Sequence, residues 1–164
     1  MPLKLVTDGN TATVTRRFAA PPERVWDAHT DPRIVQRWMT GYPGWHMSRC
    51  ESDPRPGGKI HYTWERTEGE ASEADITEGF SLTGEYIELE RPHRIVHIER
   101  MHLPDPTPDN RIETLFEAKD GGTLMTMTMT VPTAEIMEQM LATGMADGME
   151  VSYAKLEAEV LQGA

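Results

Sequence analysis

A single cysteine, Cys50, is all the thiol chemistry that the 164 residues contain. No intrachain disulfide and no multi-thiolate metal site can form from it, and the scarcity fits a reducing compartment. Long apolar runs are missing too. No stretch approaches the roughly 18 residues that cross a bilayer, and the opening Met1 to Asp8 has no signal-peptide core, so a cytoplasmic protein without a membrane partner is expected. Basic residues are scarce as well: 16 Lys and Arg stand against 27 Asp and Glu, for a formal net charge of -11, and they form no cluster. Such a chain repels polyphosphate backbones, and nucleic acid is not an expected partner. Acidity alone names no ligand, because it also serves solubility.

Several chemical signatures are absent. There is no Gly-x-Ser-x-Gly elbow, no Gly-rich phosphate loop before a Lys-Ser/Thr pair and no dinucleotide fingerprint. The six histidines (His29, His46, His61, His93, His97 and His102) lack the His-Glu-x-x-His spacing of zinc proteases. Neither a metal nor a cofactor is expected. Cys50 reads as a buried structural thiol rather than a reactive nucleophile.

What is present is a clear succession of periodic segments. Residues 1–10 read as a polar leader and 11–164 as one domain with no repeat or linker. Thr11 to Phe18 alternates like a half-buried strand. Glu23 to Thr30 reads as a short helix with Val25, Trp26 and His29 on one face. Asp31 can cap a second one, with Pro32 at its first position and Ile34, Val35 and Trp38 on its apolar side. From Trp45 to Val131 strands alternate with turns at Pro56-Gly57-Gly58, Pro92-His93 and Asp120-Gly121-Gly122, the pattern of an antiparallel meander. Glu65 to Glu78 and Pro104 to Asn110 read as exposed loops. Past Pro132, Thr133 is a plausible N-cap for a long helix reaching Leu161, in which Gly144 and Gly148 signal a bend or close packing on the sheet. One strand, two short helices, a run of strands and a long closing helix make an α+β layout, with the helix covering the sheet's concave face.

The residues also carry a family resemblance. Arg17 to Pro32, with Trp38, resembles the opening signature of the activator of heat-shock-protein-90 ATPase homologues. Arg55-Pro56-Gly57-Gly58, Gly84 to Leu89 before Pro92 to Val96, and Gly121 to Thr126 are similar to later blocks in the same order. The likeness spans roughly residues 13–161. It implies the helix-grip fold of the START and birch-allergen superfamily, a curved antiparallel sheet around a long C-terminal helix with a cavity between them. Two departures stand out: Met149 replaces a tryptophan frequent in relatives, and the sequence opens without the chaperone-contacting domain of the eukaryotic activators. ATPase activation and chaperone contact are therefore doubtful expectations.

If the fold encloses a cavity, its lining can be read from parity. Seven of the eleven methionines lie between Met125 and Met149, and flexible thioethers suit either an irregular core or an adaptable pocket. Strand alternation puts Tyr62 and Trp64, then Phe80 and Tyr86, and then Met127 and Met129 on inward faces, with Met140, Met145 and Met149 on the covering helix. Trp38 reads first as an anchor for its helix and is also carried as a candidate lining residue. His97, Glu99 and Met101 share parity on one strand. His97 and Glu99 could act as acid and base, could orient a ligand's polar end, or could form a satisfied cross-strand pair. Three functions follow as expectations: a binding or carrier domain for a small apolar or aromatic molecule, a cavity lyase, cyclase or hydrolase using His97 and Glu99, or a chaperone-associated interaction module. A homodimer is compatible with each.

Overall fold

The computed structural model describes residues 3–67, 79–102 and 106–161. Eight antiparallel strands form one sheet: β1 (Lys4–Asp8), β2 (Thr11–Phe18), β3 (Trp45–Ser52), β4 (Lys59–Arg66), β5 (Phe80–Glu90), β6 (Arg94–His102), β7 (Asn110–Lys119) and β8 (Gly122–Thr130). Their spatial order is β1-β2-β8-β7-β6-β5-β4-β3. Helices α1 (Pro22–Thr30) and α2 (Pro32–Trp38) carry the chain from β2 to the far edge, and α3 (Ala134–Ala142) and α4 (Met145–Lys155) close the fold. Helix α4 runs on as a π-helical segment, Leu156–Leu161. No helix among the described residues is long and apolar enough to cross a membrane.

Local chemistry sets these boundaries. Pro22 opens α1, where its missing N–H costs nothing. The Asp31 carboxylate accepts from Arg33 N–H at 3.0 Å and caps α2, with Pro32 behind it. Lys119 pairs with Gly122 across a two-residue hairpin whose centre, Asp120 and Gly121, has φ of 51° and 79°, the primed turn that the strand twist requires.

Alternation then sorts the faces. Ala12, Val14, Arg16 and Phe18 of β2, Met125, Met127 and Met129 of β8, and Ile60, Tyr62 and Trp64 of β4 are buried on the concave side. Bulges between Met47 and Arg49 and between Tyr86 and Glu88 bend the β3–β6 half of the sheet inward. At Gly84 a β-carbon would stand 2.4 Å from the Ile98 carbonyl oxygen, so this crossing admits only glycine.

Three expectations change. The leader contains an edge strand: β1 pairs with β2 from Lys4↔Thr15 to Asp8↔Thr11, and Leu3 and Leu5 pack on the core. Its five residues hold too little alternation to stand out from sequence. The single closing helix is two, because Gly144 adopts a left-handed φ of 81° after α3 and starts α4 in a new direction. Gly148 does not pack on the sheet; a β-carbon there would meet nothing closer than the Tyr42 ring, 3.9 Å away. The first loop begins later than expected, since Glu65 and Arg66 belong to β4, and Asn110 already belongs to β7. The remainder of the Glu65–Glu78 reading, from 68 to 78, and residues 103–105 of the second lie outside the described residues.

Candidate functional site

Strand β6 lies near the middle of the sheet, so its inward side chains meet the deepest part of the grip. Tyr86 faces His97 across the ladder and Gly84 faces Glu99 on one flank; Ile112 and Asn110 face the same two residues on the other. His97 and Glu99 meet. Their Nε2 and Oε2 atoms are 3.1 Å apart, and the side chains keep 17% and 22% of their surface accessible. Because a carboxylate only accepts, His97 donates its Nε2–H to Glu99. The other ring nitrogen, Nδ1, is buried with no partner. The Tyr86 ring meets the imidazole edge to face, with centroids 6.2 Å apart.

Tyr86, beside this pair, heads a directed chain. Ser52 gives its only hydroxyl proton to the Thr30 carbonyl at 3.0 Å, so the 2.7 Å contact between Ser52 and Tyr86 must be donated by Tyr86. The Tyr62 phenol lies close enough to Tyr86 for the two to influence one another electrostatically. Burial raises the pKa of both phenols, first by desolvation, so both stay protonated at neutral pH.

A second histidine faces the same interior. His29 of α1 donates Nδ1–H to the Val25 carbonyl at 2.7 Å and sits between Phe116 and Trp38, each 5.1 Å away by ring centroid. Desolvation lowers its pKa to about 4, against the backbone hydrogen bond; repulsion from His97, were both rings protonated, lowers it a little further. His29 is thus neutral, and its Nε2 is a buried acceptor without a partner. Tyr153 of α4 is buried above, stacked on Trp38 at 5.8 Å, and burial followed by the field of Glu99 keeps its phenol protonated. The Asn110 side-chain oxygen is a third buried acceptor with no partner.

The remaining candidates divide. Met127 and Met129 are buried on the concave face, while Met101, Met140, Met145 and Met149 are half-buried and pack against the core. Trp64 and Phe80 stack on one another at 5.0 Å with Trp45 alongside, and Trp64 also donates to the Met39 carbonyl at 2.7 Å. Trp38 is 1% exposed and donates Nε1–H to the Ala28 carbonyl at 2.9 Å, which ties α2 to α1. Cys50 lies half-buried, its thiol on the Pro32 carbonyl at 3.2 Å and its pKa pushed up to about 11 by burial and then by Asp31, so it holds its proton. Among the described residues no three His, Cys, Asp or Glu converge as a metal site would need.

Sequence reading missed Arg16, Asn110, Tyr153 and the part played by His29. Arg16 is only 4% exposed, yet it carries a bidentate pair with Glu150 of α4 at 2.9 Å and a guanidinium contact 4.9 Å above the Phe18 ring. Strand parity puts Arg16 with Val14 and Phe18, a signal that was available, but its partner lies 134 residues away. Two surface depressions, one lined by Arg17, Asp120 and Glu157 and the other by Lys59, Ile98 and Arg100, include neither His97 nor Glu99.

A curved antiparallel sheet gripping C-terminal helices defines the helix-grip class of START-like folds. The sequence model of the family described as activator of Hsp90 ATPase homolog 1-like protein matches residues 19–160, and the chain belongs to that family. A crystal structure of a protein from Rhodobacter sphaeroides is similar over 96% of both chains, at 28% identity and a TM-score of 0.84. One from Mycobacterium smegmatis is 25% identical over 98% of this chain and 96% of its own, with a TM-score of 0.81. An AHSA1-like protein from Aeromonas hydrophila shares the fold at 22% identity, covering 92% of this chain and 94% of its own with a TM-score of 0.70. Among curated proteins there is no match.

Proposed function

We propose that the chain binds a small apolar or aromatic molecule between the concave face of the sheet and the C-terminal helices. One observation carries this reading. The His97–Glu99 pair keeps accessible surface on a face that is mostly apolar and aromatic, and His97 Nδ1 there has no partner. An unpartnered buried polar atom costs roughly 1–3 kcal/mol, a cost that a ligand's polar group would remove. The half-buried methionines can reshape around an apolar body, since an unbranched thioether changes rotamer at little cost.

The cavity enzyme is a second reading, favoured by the same 3.1 Å contact, which puts a carboxylate against an imidazole in the geometry of general acid–base catalysis. It differs in requiring turnover. Chaperone contact remains an expectation from the resemblance, and a homodimer is compatible with either reading.

Filling the interior tests the binding reading. Met127, opposite Val14 and Thr114 in the ladders, and Met145, at the start of α4, are the positions to enlarge. In folded Met127→Trp or Met145→Trp protein, an apolar fluorescent probe should bind about tenfold more weakly or worse, a change of about 1.4 kcal/mol. Wild-type affinity in both folded variants would contradict a functional pocket.

A further inference from the structure

The unpartnered polar atoms inside the grip are of one kind. His29 Nε2 is a bare acceptor, because Nδ1 carries the ring's proton to the Val25 carbonyl. His97 Nδ1 is a bare acceptor in the neutral ring, because Nε2 carries the proton to Glu99. Asn110 Oδ1 is an acceptor and lies on the strand position facing Glu99. Glu99, whose Oε2 meets His97, adds a partly accessible carboxylate beside them. Of the donors there, Tyr86 is engaged by Ser52, and Ser52 by the Thr30 carbonyl. The Tyr62 and Tyr153 hydroxyls are not among the fully buried unpartnered atoms. The remaining unpartnered donor, Trp26 Nε1, belongs to a ring that lies against Arg91 of the β5–β6 turn.

Charge points the same way. Arg16 is the one charged side chain buried among the described residues, and Glu150 and Glu157 already neutralise it. With the His97 ring neutral, Glu99 faces the interior with no cation free among the described residues to receive an anion. A carboxylate or phosphate head placed there would lose its hydration against a like charge and a set of acceptors, an arrangement that protein interiors avoid.

Resting on the binding reading above, we propose that the ligand is an apolar molecule with a hydrogen-bond-donating head, a hydroxyl or N–H group, held by His97 and Asn110, and that the site rejects anionic heads such as the carboxylate of a fatty acid. Donation to a buried acceptor removes an unsatisfied group that no ether or carboxylate can satisfy. The apolar body lies along the methionines of β8 and α3–α4, which set its length less strictly than the head sets its chemistry.

Three ligands with the same ten-carbon chain separate these possibilities: 1-decanol, its methyl ether and decanoate, each displacing a bound apolar fluorescent probe at pH 7.5. The alcohol should displace the probe at about tenfold lower concentration than the ether, which keeps the oxygen and lacks the proton, and decanoate should be weaker still. In Asn110→Leu protein, which keeps the branched shape and heavy-atom count and removes the acceptor, the preference for alcohol over ether should shrink at least threefold. Equal displacement by alcohol and ether, or stronger displacement by decanoate, in the wild-type protein overturns the donor-head assignment while leaving the pocket intact. Failure of all three to displace the probe overturns the binding reading itself. A variant preference equal to that of the wild type removes Asn110 from the assignment, whatever its effect on stability.

Discussion

Glu150→Ala should lower the free energy of unfolding by about 3–5 kcal/mol, far more than removing any exposed ion pair of this protein. The Arg16 side chain is 2% exposed, and Glu150 supplies both oxygens to its guanidinium at 2.9 Å. Without Glu150 the charge is left in an apolar setting between Phe18 and Tyr153, with only Glu157, 3.9 Å away, as a counter-charge. The carboxylate has a second task, accepting from Leu3 N–H at 2.9 Å, so β2, α4 and the start of β1 are tied at one point. Burial works against the ionised Glu150, but the Arg16 and Leu3 hydrogen bonds outweigh it and hold its pKa below the ordinary value. The Arg91–Asp27 pair is equally short at 2.9 Å and half exposed, and its removal should cost no more than about 1 kcal/mol. Urea denaturation of the two variants checks the contrast. The double variant Arg16→Met/Glu150→Met should be much less damaged than Glu150→Ala, because it leaves no unpaired charge. A loss below about 1 kcal/mol for Glu150→Ala would contradict the buried-charge account.

Acidification should produce the second large effect. His29 titrates at about 4 in the folded protein against 6.5 for an unburied histidine, so between those values the unfolded chain takes up a proton that the folded chain refuses. Stability is therefore undiminished above pH 6.5, falls as the pH drops toward 4, and levels off below it as far as this residue is concerned. The loss attributable to His29 is about 3 kcal/mol. Carboxylates titrate in the lower part of this window too, so the comparison is with His29→Phe, whose ring can occupy the space between Phe116 and Trp38 without taking a proton. Unfolding measured at intervals from pH 7 to pH 4 should show the wild type losing stability more steeply than the variant. Parallel curves would mean that His29 is solvated enough to titrate normally.

Much of this architecture can be read from periodicity, because alternation and capping act over a few residues. Asp31-Pro32 marks the junction of two helices, and the threonine–methionine alternation of β8 marks one face of a central strand. Parity also puts His97 and Glu99 on one side of β6. It cannot give their separation, which depends on how the Tyr86 bulge and the Gly84 crossing bend the neighbouring strand. Nor does it find Arg16 as a buried residue, since a charge on an apolar face reads as an irregularity until Glu150 is folded over it. The direction of each hydrogen bond, on which the acceptor character of the interior rests, arises from contacts between residues far apart in sequence, such as Ser52 with Tyr86 and Thr30. The break at Gly144 was signalled by composition, but its choice over Gly148 is a matter of backbone φ.

The central claim is that the grip holds a small molecule, and native mass spectrometry of freshly purified protein tests it most directly. The account predicts a species heavier than the bare polypeptide by the mass of one small organic molecule, lost on denaturation and restored by adding 1-decanol. A spectrum showing only the bare polypeptide, unchanged by the added alcohol, would contradict it.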